Sequence, residues 1–122
     1  MNTAFRLLLV MSICAVSYGC ASYHAMKLPV GPTYPATLLQ DVEVIGGTPA
    51  RPYRVIGKVH SHCRRDWFFG GDACGDSRMK EALRQEAANL GANAVMNVQR
   101  DSFWQFEWTD VHYHGTAIRW EP

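Results

Sequence analysis

Apolar and polar positions repeat with two different periods along this chain, and the change of period marks its elements. From Ser77 to Gln99 the sequence reads SRMKEALRQEAANLGANAVMNVQ. Met79, Leu83, Ala87 and Leu90 recur at helical spacing with Ala82 beside them, while Arg78, Lys80, Glu81, Arg84 and Gln85 fall largely on other faces. The spacing predicts an amphipathic helix with one side to cover. Asp76 or Ser77 stands where a helix is capped, and Gly91 follows the last periodic position, where a left-handed residue without a Cβ ends a helix at least cost. Val95, Met96 and Val98 then begin a β-rich run.

Elsewhere the period is two. Val42 and Val44 alternate with Asp41 and Glu43 in a half-buried strand over Leu38 to Ile45, which Gly46-Gly47-Thr48-Pro49 breaks. Over Tyr53 to His62, Tyr53, Val55, Gly57 and Val59 share one face, and Arg54, Ile56, Lys58, His60 and His62 the other. Arg64 to Gly75 reads as a loop carrying Trp67, Phe68 and Phe69. Arg100-Asp101 is an expected turn into Phe103 to Trp108, where Trp104, Phe106 and Trp108 alternate with Gln105 and Glu107 and read as core. Thr109-Asp110 is an expected second turn. Over Val111 to Trp120, Val111, Tyr113, Gly115 and Ala117 face one way, and His112, His114, Thr116, Ile118 and Trp120 the other.

The 122 residues are 48% hydrophobic and carry a formal charge of +1, which suits one small domain with attachments, since two would leave each core too small. Twelve Lys and Arg against eleven Asp and Glu form no basic stripe, so nucleic acid is not an expected partner.

Residues 1–19 read as an export signal: Arg6 precedes an apolar run from Leu7 to Val16, too short to span a bilayer, and Ser17 and Gly19 are small. Ser17-Tyr18-Gly19-Cys20 resembles the lipobox of bacterial lipoproteins, which implies acylation of Cys20. Parity agrees. Cys14 leaves with the signal, and acylating Cys20 removes the odd thiol, leaving Cys63 and Cys74 to pair in an oxidising compartment. Residues 20–37, with Pro29, Pro32 and Pro35, read as an extended tether from that anchor, and residues 38–122 as the domain. The expected location is the cell envelope, lipid-anchored at the outer membrane, with the domain facing the periplasm.

Ile56-Gly57-Lys58-Val59 ending in Cys63, EAANLGANAVMNV from Glu86 to Val98, and Gly115-Thr116-Ala117-Ile118 together resemble the YbjQ-like domain and, within it, the RcsF type of outer-membrane lipoprotein that senses envelope stress. The resemblance spans about Tyr53 to Trp120. It implies an α+β fold, a small mixed sheet of about four or five strands packed against one main helix. It also implies a binding or structural module with an envelope protein or a second copy as partner, or a stress sensor. The RcsF type has four domain cysteines in two bridges; this domain has two.

Two constellations carry candidate chemistry. Alternation puts both histidines of His60-x-His62 on one strand face, and both of His112-x-His114 on another. If those strands are neighbours, four imidazoles converge in a set suited to zinc, copper or nickel. Trp67, Phe68 and Phe69, beside two glycines and between the two cysteines, form a candidate interaction loop. No nucleophile elbow or spaced carboxylate pair is present, so no enzymatic activity is expected.

Overall fold

The computed structural model describes residues 21–66 and 74–122. Five strands form one sheet: β1 (Ala21–Pro29), β2 (Glu43–Ile45), β3 (Tyr53–Asp66), β4 (Ala94–Trp104) and β5 (Trp108–Trp120), in the order β1-β3-β5-β4-β2. Neighbours are antiparallel except β2 and β4, which are parallel. The fold is thus α+β with a mixed sheet and one helix, as expected.

That helix, α1 (Asp76–Leu90), buries Met79, Ala82, Leu83, Ala87, Ala88 and Leu90 against one face of the sheet. Its partners there include Val59, Cys63, Val95, Val111, Tyr113 and Ala117. Ser61 lies in the same layer and donates its hydroxyl to the Met79 carbonyl at 3.1 Å, so its burial leaves no orphaned group. Gly75, not Asp76 or Ser77, is the N-cap; Asp76 instead accepts a hydrogen bond from Tyr113 Oη at 2.6 Å. Gly91 ends the helix at φ 83°, the left-handed cap its position predicts. The Cys63–Cys74 bridge forms, joining the end of β3 to the start of α1.

The expected tether over residues 20–37 is corrected. Ala21–Pro29 is a nine-residue edge strand in register with β3, from Ala21 opposite Arg65 to Pro29 opposite Gly57. The prolines begin only at its last residue, so eight residues stay able to donate to the ladder, and β3 offers a long row of peptide groups needing partners. The rest of the segment is also docked. Thr37 donates its backbone N–H to the Ala88 carbonyl at 2.9 Å and its hydroxyl to the Ala92 carbonyl at 2.6 Å.

Two register shifts decide which side chains face where. One between Val55 and Gly57 turns Ile56 into the helix-side core, 2% exposed, although simple alternation groups it with Lys58. The other lies between Met96 and Gln99, with Asn97 at φ 52°. Such a bulge adds a residue without ending the strand. Consequently Arg100-Asp101 is not a turn: β4 continues to Trp104, and the chain reverses at Gln105-Phe106-Glu107, where the Gln105 N–H bonds the Trp108 carbonyl at 2.8 Å. Thr109 and Asp110, expected as a turn, lie within β5. Trp104 and Phe106 are exposed, which corrects their expected burial, while Trp108 is half-buried; Phe103 is exposed as well.

Candidate metal centre

The sheet face opposite α1 carries a small apolar cluster at one end, where Ala94, Met96 and Ile118 are buried with Ile45, Tyr53 and Trp120 against them, and the pleat places all five histidines of the chain on the rest of it. Because β3 and β5 are adjacent and antiparallel, His60 stands opposite His114 and His62 opposite His112. β1 and β4 extend these pairs into rows. Met26, His60, His114 and Gln99 form one row across four strands, and His24, His62, His112 and Asp101 form the next. The His-x-His pairs thus meet as alternation and strand adjacency require.

The rings lie nearly parallel. His60 and His114 stack with centroids 4.5 Å apart, and His62 and His112 at 4.3 Å. On the diagonal, His60 Nε2 and His112 Nδ1 are 2.9 Å apart, a hydrogen bond in which one ring donates and the other accepts. One nitrogen from each of His60, His112 and His114 falls within 4.8 Å of the others. His60 and His112 are half-buried and His114 is exposed, so the group is a shallow site open on one side.

His62 does not join this group. Its Nε2 meets Asp110 Oδ1 at 3.0 Å, and Arg64 grips the same carboxylate with Nε to Oδ1 at 2.8 Å and Nη2 to Oδ2 at 3.1 Å. The bonds from Arg64, with that from His62 added, hold the Asp110 carboxyl down at about 2. The neutralised Asp110–Arg64 pair fixes the His62 ring as a wall against which His112 stacks. Asp101 stands 3.7 Å from His114 Nε2 and is exposed. Phe103 closes one flank with an edge-on contact to His112.

Electrostatics favours neutral, ligating imidazoles. Burial, together with neighbouring rings that repel a second positive charge, lowers the His60 pKa below the usual histidine value. Burial and His62 do the same for His112 against the opposing pull of Asp110 and Asp101. Rings that stay neutral near pH 7 offer lone pairs without first shedding a proton.

Sequence reasoning missed two neighbours of the site, His24 and Met26, because residues 20–37 read as a tether. Their alternation, His24, Met26, Leu28, was the available signal. His24 lies 6.3 Å from His62 between ring centroids, and Met26 places a thioether in the row of His60 and His114. Both are exposed. Cys20, Trp67, Phe68 and Phe69 lie outside the described residues. Among the described residues no helix is long and apolar enough to cross a membrane.

No protein-family model matches the chain, and comparison with curated proteins and with solved structures finds no match.

Proposed function

We propose that this chain is an envelope-displayed binding module, held by an acylated Cys20, whose open sheet face takes up a transition-metal ion through His60, His112 and His114. The observation that carries the metal reading is the approach of three ring nitrogens to within 4.8 Å on a rigid pair of strands. Random surface histidines do not share such a volume without repelling one another when charged.

The spacing also favours a class of ion. Two nitrogens at roughly 2.0–2.1 Å from one metal stand about 2.9 Å apart at a right angle and about 3.3–3.4 Å apart in a tetrahedron. His60 Nε2 and His112 Nδ1 already stand at 2.9 Å. Right-angled, nitrogen-rich, open-sided coordination suits copper(II) or nickel(II) better than a closed tetrahedral zinc site, and copper(II) leads the affinity order for such ligands. For both facing nitrogens to ligate, the ring that donates in the His60–His112 hydrogen bond would carry its N–H on its other ring nitrogen instead, and solvent or Asp101 would complete the ion's shell.

Calorimetric titration of the purified full chain with copper(II), nickel(II) and zinc(II) tests the reading. One copper per chain at micromolar or tighter affinity, lost in His60→Ala/His112→Ala/His114→Ala, is the expected outcome. Binding that is weaker, or unchanged in that variant, overturns it.

A further inference from the structure

Phe103, Trp104 and Phe106 are 57%, 65% and 87% exposed at the turn between β4 and β5. Three large aromatic side chains in four residues, all exposed to water, are a costly arrangement for a small domain. Their place in the sheet supplies a reason. Ala21 pairs with Arg65, Arg65 with Thr109, and Thr109 with Trp104. These four residues form a single cross-strand row, so the aromatic turn and the start of β1 lie at the same end of the sheet. At the usual spacing of about 4.8 Å between strands, Ala21 stands roughly 15 Å across the sheet from Trp104.

This inference rests on the proposed acylation of Cys20. The first strand residue immediately follows that cysteine, so no slack chain separates the anchor from the sheet. A lipid on Cys20 therefore brings this end of the sheet down to the bilayer surface. We infer that the β4–β5 turn is a second membrane contact, with Phe103, Trp104 and Phe106 lodged among the headgroups and upper acyl chains beside the anchor. Tryptophan and phenylalanine are suited to that layer, where an apolar ring body and, for tryptophan, an N–H donor both find partners. Two contacts about 15 Å apart restrain tilt as one lipid cannot. They stand the sheet with its strands directed away from the membrane and leave the histidine face open sideways to the aqueous compartment.

Trp120 gives an internal control. It pairs with Tyr53 at the far end of β5, eleven residues beyond Thr109, or roughly 35 Å away along the strand. The test uses the acylated full chain in phosphatidylethanolamine–phosphatidylglycerol vesicles containing phosphatidylcholine brominated at carbons 6 and 7. One variant, Trp67→Phe/Trp108→Phe/Trp120→Phe, keeps Trp104 as its single tryptophan; another, Trp67→Phe/Trp104→Phe/Trp108→Phe, keeps Trp120. The inference expects Trp104 emission to shift to the blue and fall at least about twofold with brominated lipid, and Trp120 emission to stay unchanged. Should a triple variant fail to fold, the quenching lost between the wild type and Trp104→Phe reads the same quantity. Mass spectrometry of the same preparation separates the two ways of failing. Absence of an acyl mass on Cys20 overturns the anchored reading and this inference together. An acyl mass with unquenched Trp104, as when the turn meets another protein or a second copy, overturns this inference alone.

Discussion

His60 Nε2 and His112 Nδ1 lie 2.9 Å apart across two antiparallel strands, their rings within 2° of parallel. They are diagonal rather than direct partners in the ladder: His60 pairs with His114, and His112 with His62. The diagonal approach lets a nitrogen of each ring point into the same small volume, with His114 alongside.

His60→Ala and His112→Ala, each removing one of the two nitrogens nearest each other, are expected to weaken copper(II) binding by at least about 100-fold, since a lost direct ligand exceeds the 10–100-fold typical of outer-shell partners. His62→Ala, whose ring is engaged by Asp110, is expected to cost about 10-fold or less. His24→Ala should leave affinity within a factor of about two. Competition titration against a chromogenic chelator measures all four.

The same rings set a pH dependence in the metal-free protein. His60 and His112 are held below the ordinary value of 6.5 in the folded chain, so below about that pH the unfolded chain binds more protons than the folded one. Stability therefore falls as the pH drops through 6 and 5, and is unaffected by these groups above about 7, where both states are neutral. Urea unfolding at pH 7.5 and 5.0 should show the decline. It should be smaller in His60→Ala/His112→Ala.

Asp110 adds a separate, more acidic step. Its carboxyl is held at about 2, against 3.8 ordinarily, chiefly by Arg64 and further by His62. A depressed carboxyl stabilises the fold above the unfolded value and loses that contribution as the pH falls from about 4 towards 2. Solvent around the half-exposed Arg64 side chain reduces the effect to roughly 1 kcal/mol. Asp110→Asn should destabilise the protein by about that amount at pH 7 and remove the step.

Both bridge cysteines are buried, and the Cys63–Cys74 bond closes a loop of sequence separation 11. Chain entropy gives roughly 3 kcal/mol for such a loop. Cys63→Ala/Cys74→Ala should lower the unfolding midpoint accordingly, and a reductant should do so in the wild type but not in the variant.

Gly91→Ala should be among the costliest single substitutions outside the site. Its φ is 83°, and an added Cβ would stand 2.5 Å from the Pro35 carbonyl oxygen and 2.7 Å from Tyr34 Cβ. Left-handed strain alone costs about 1–2 kcal/mol, and displacement of the docked Tyr34–Pro35 backbone adds to it. Thermal unfolding of the variant checks this. A loss below about 0.5 kcal/mol would mean that the segment does not rest on the helix end.

Local periodicity made much of this legible. The buried face of α1, its glycine stop, the strand bearing His112 and His114 and the pairing of Cys63 with Cys74 all follow from short-range pattern or parity. What pattern could not supply were effects decided by distant partners. Ala21–Pro29 alternates only at His24, Met26 and Leu28, a signal outweighed by Pro29, Gly31 and Pro32 after it, and what makes it a strand is the edge that β3 presents to it. Ile56 faces the helix because a bulge adds a residue, and alternation cannot announce a bulge. Trp104 and Phe106 alternate like core residues but fall at a turn, since Asn97 takes up the irregularity and lets β4 run on past Arg100-Asp101. The adjacency of the two histidine strands, on which the candidate centre depends, is likewise a matter of strand order.

The most direct test is pulsed electron paramagnetic resonance of the full chain loaded with one equivalent of copper(II). Coordination by His60, His112 and His114 predicts modulation from the remote nitrogens of more than one imidazole, reduced stepwise by His60→Ala and by His112→Ala. A spectrum without imidazole modulation, or one that neither substitution changes, would contradict a metal centre on this face of the sheet.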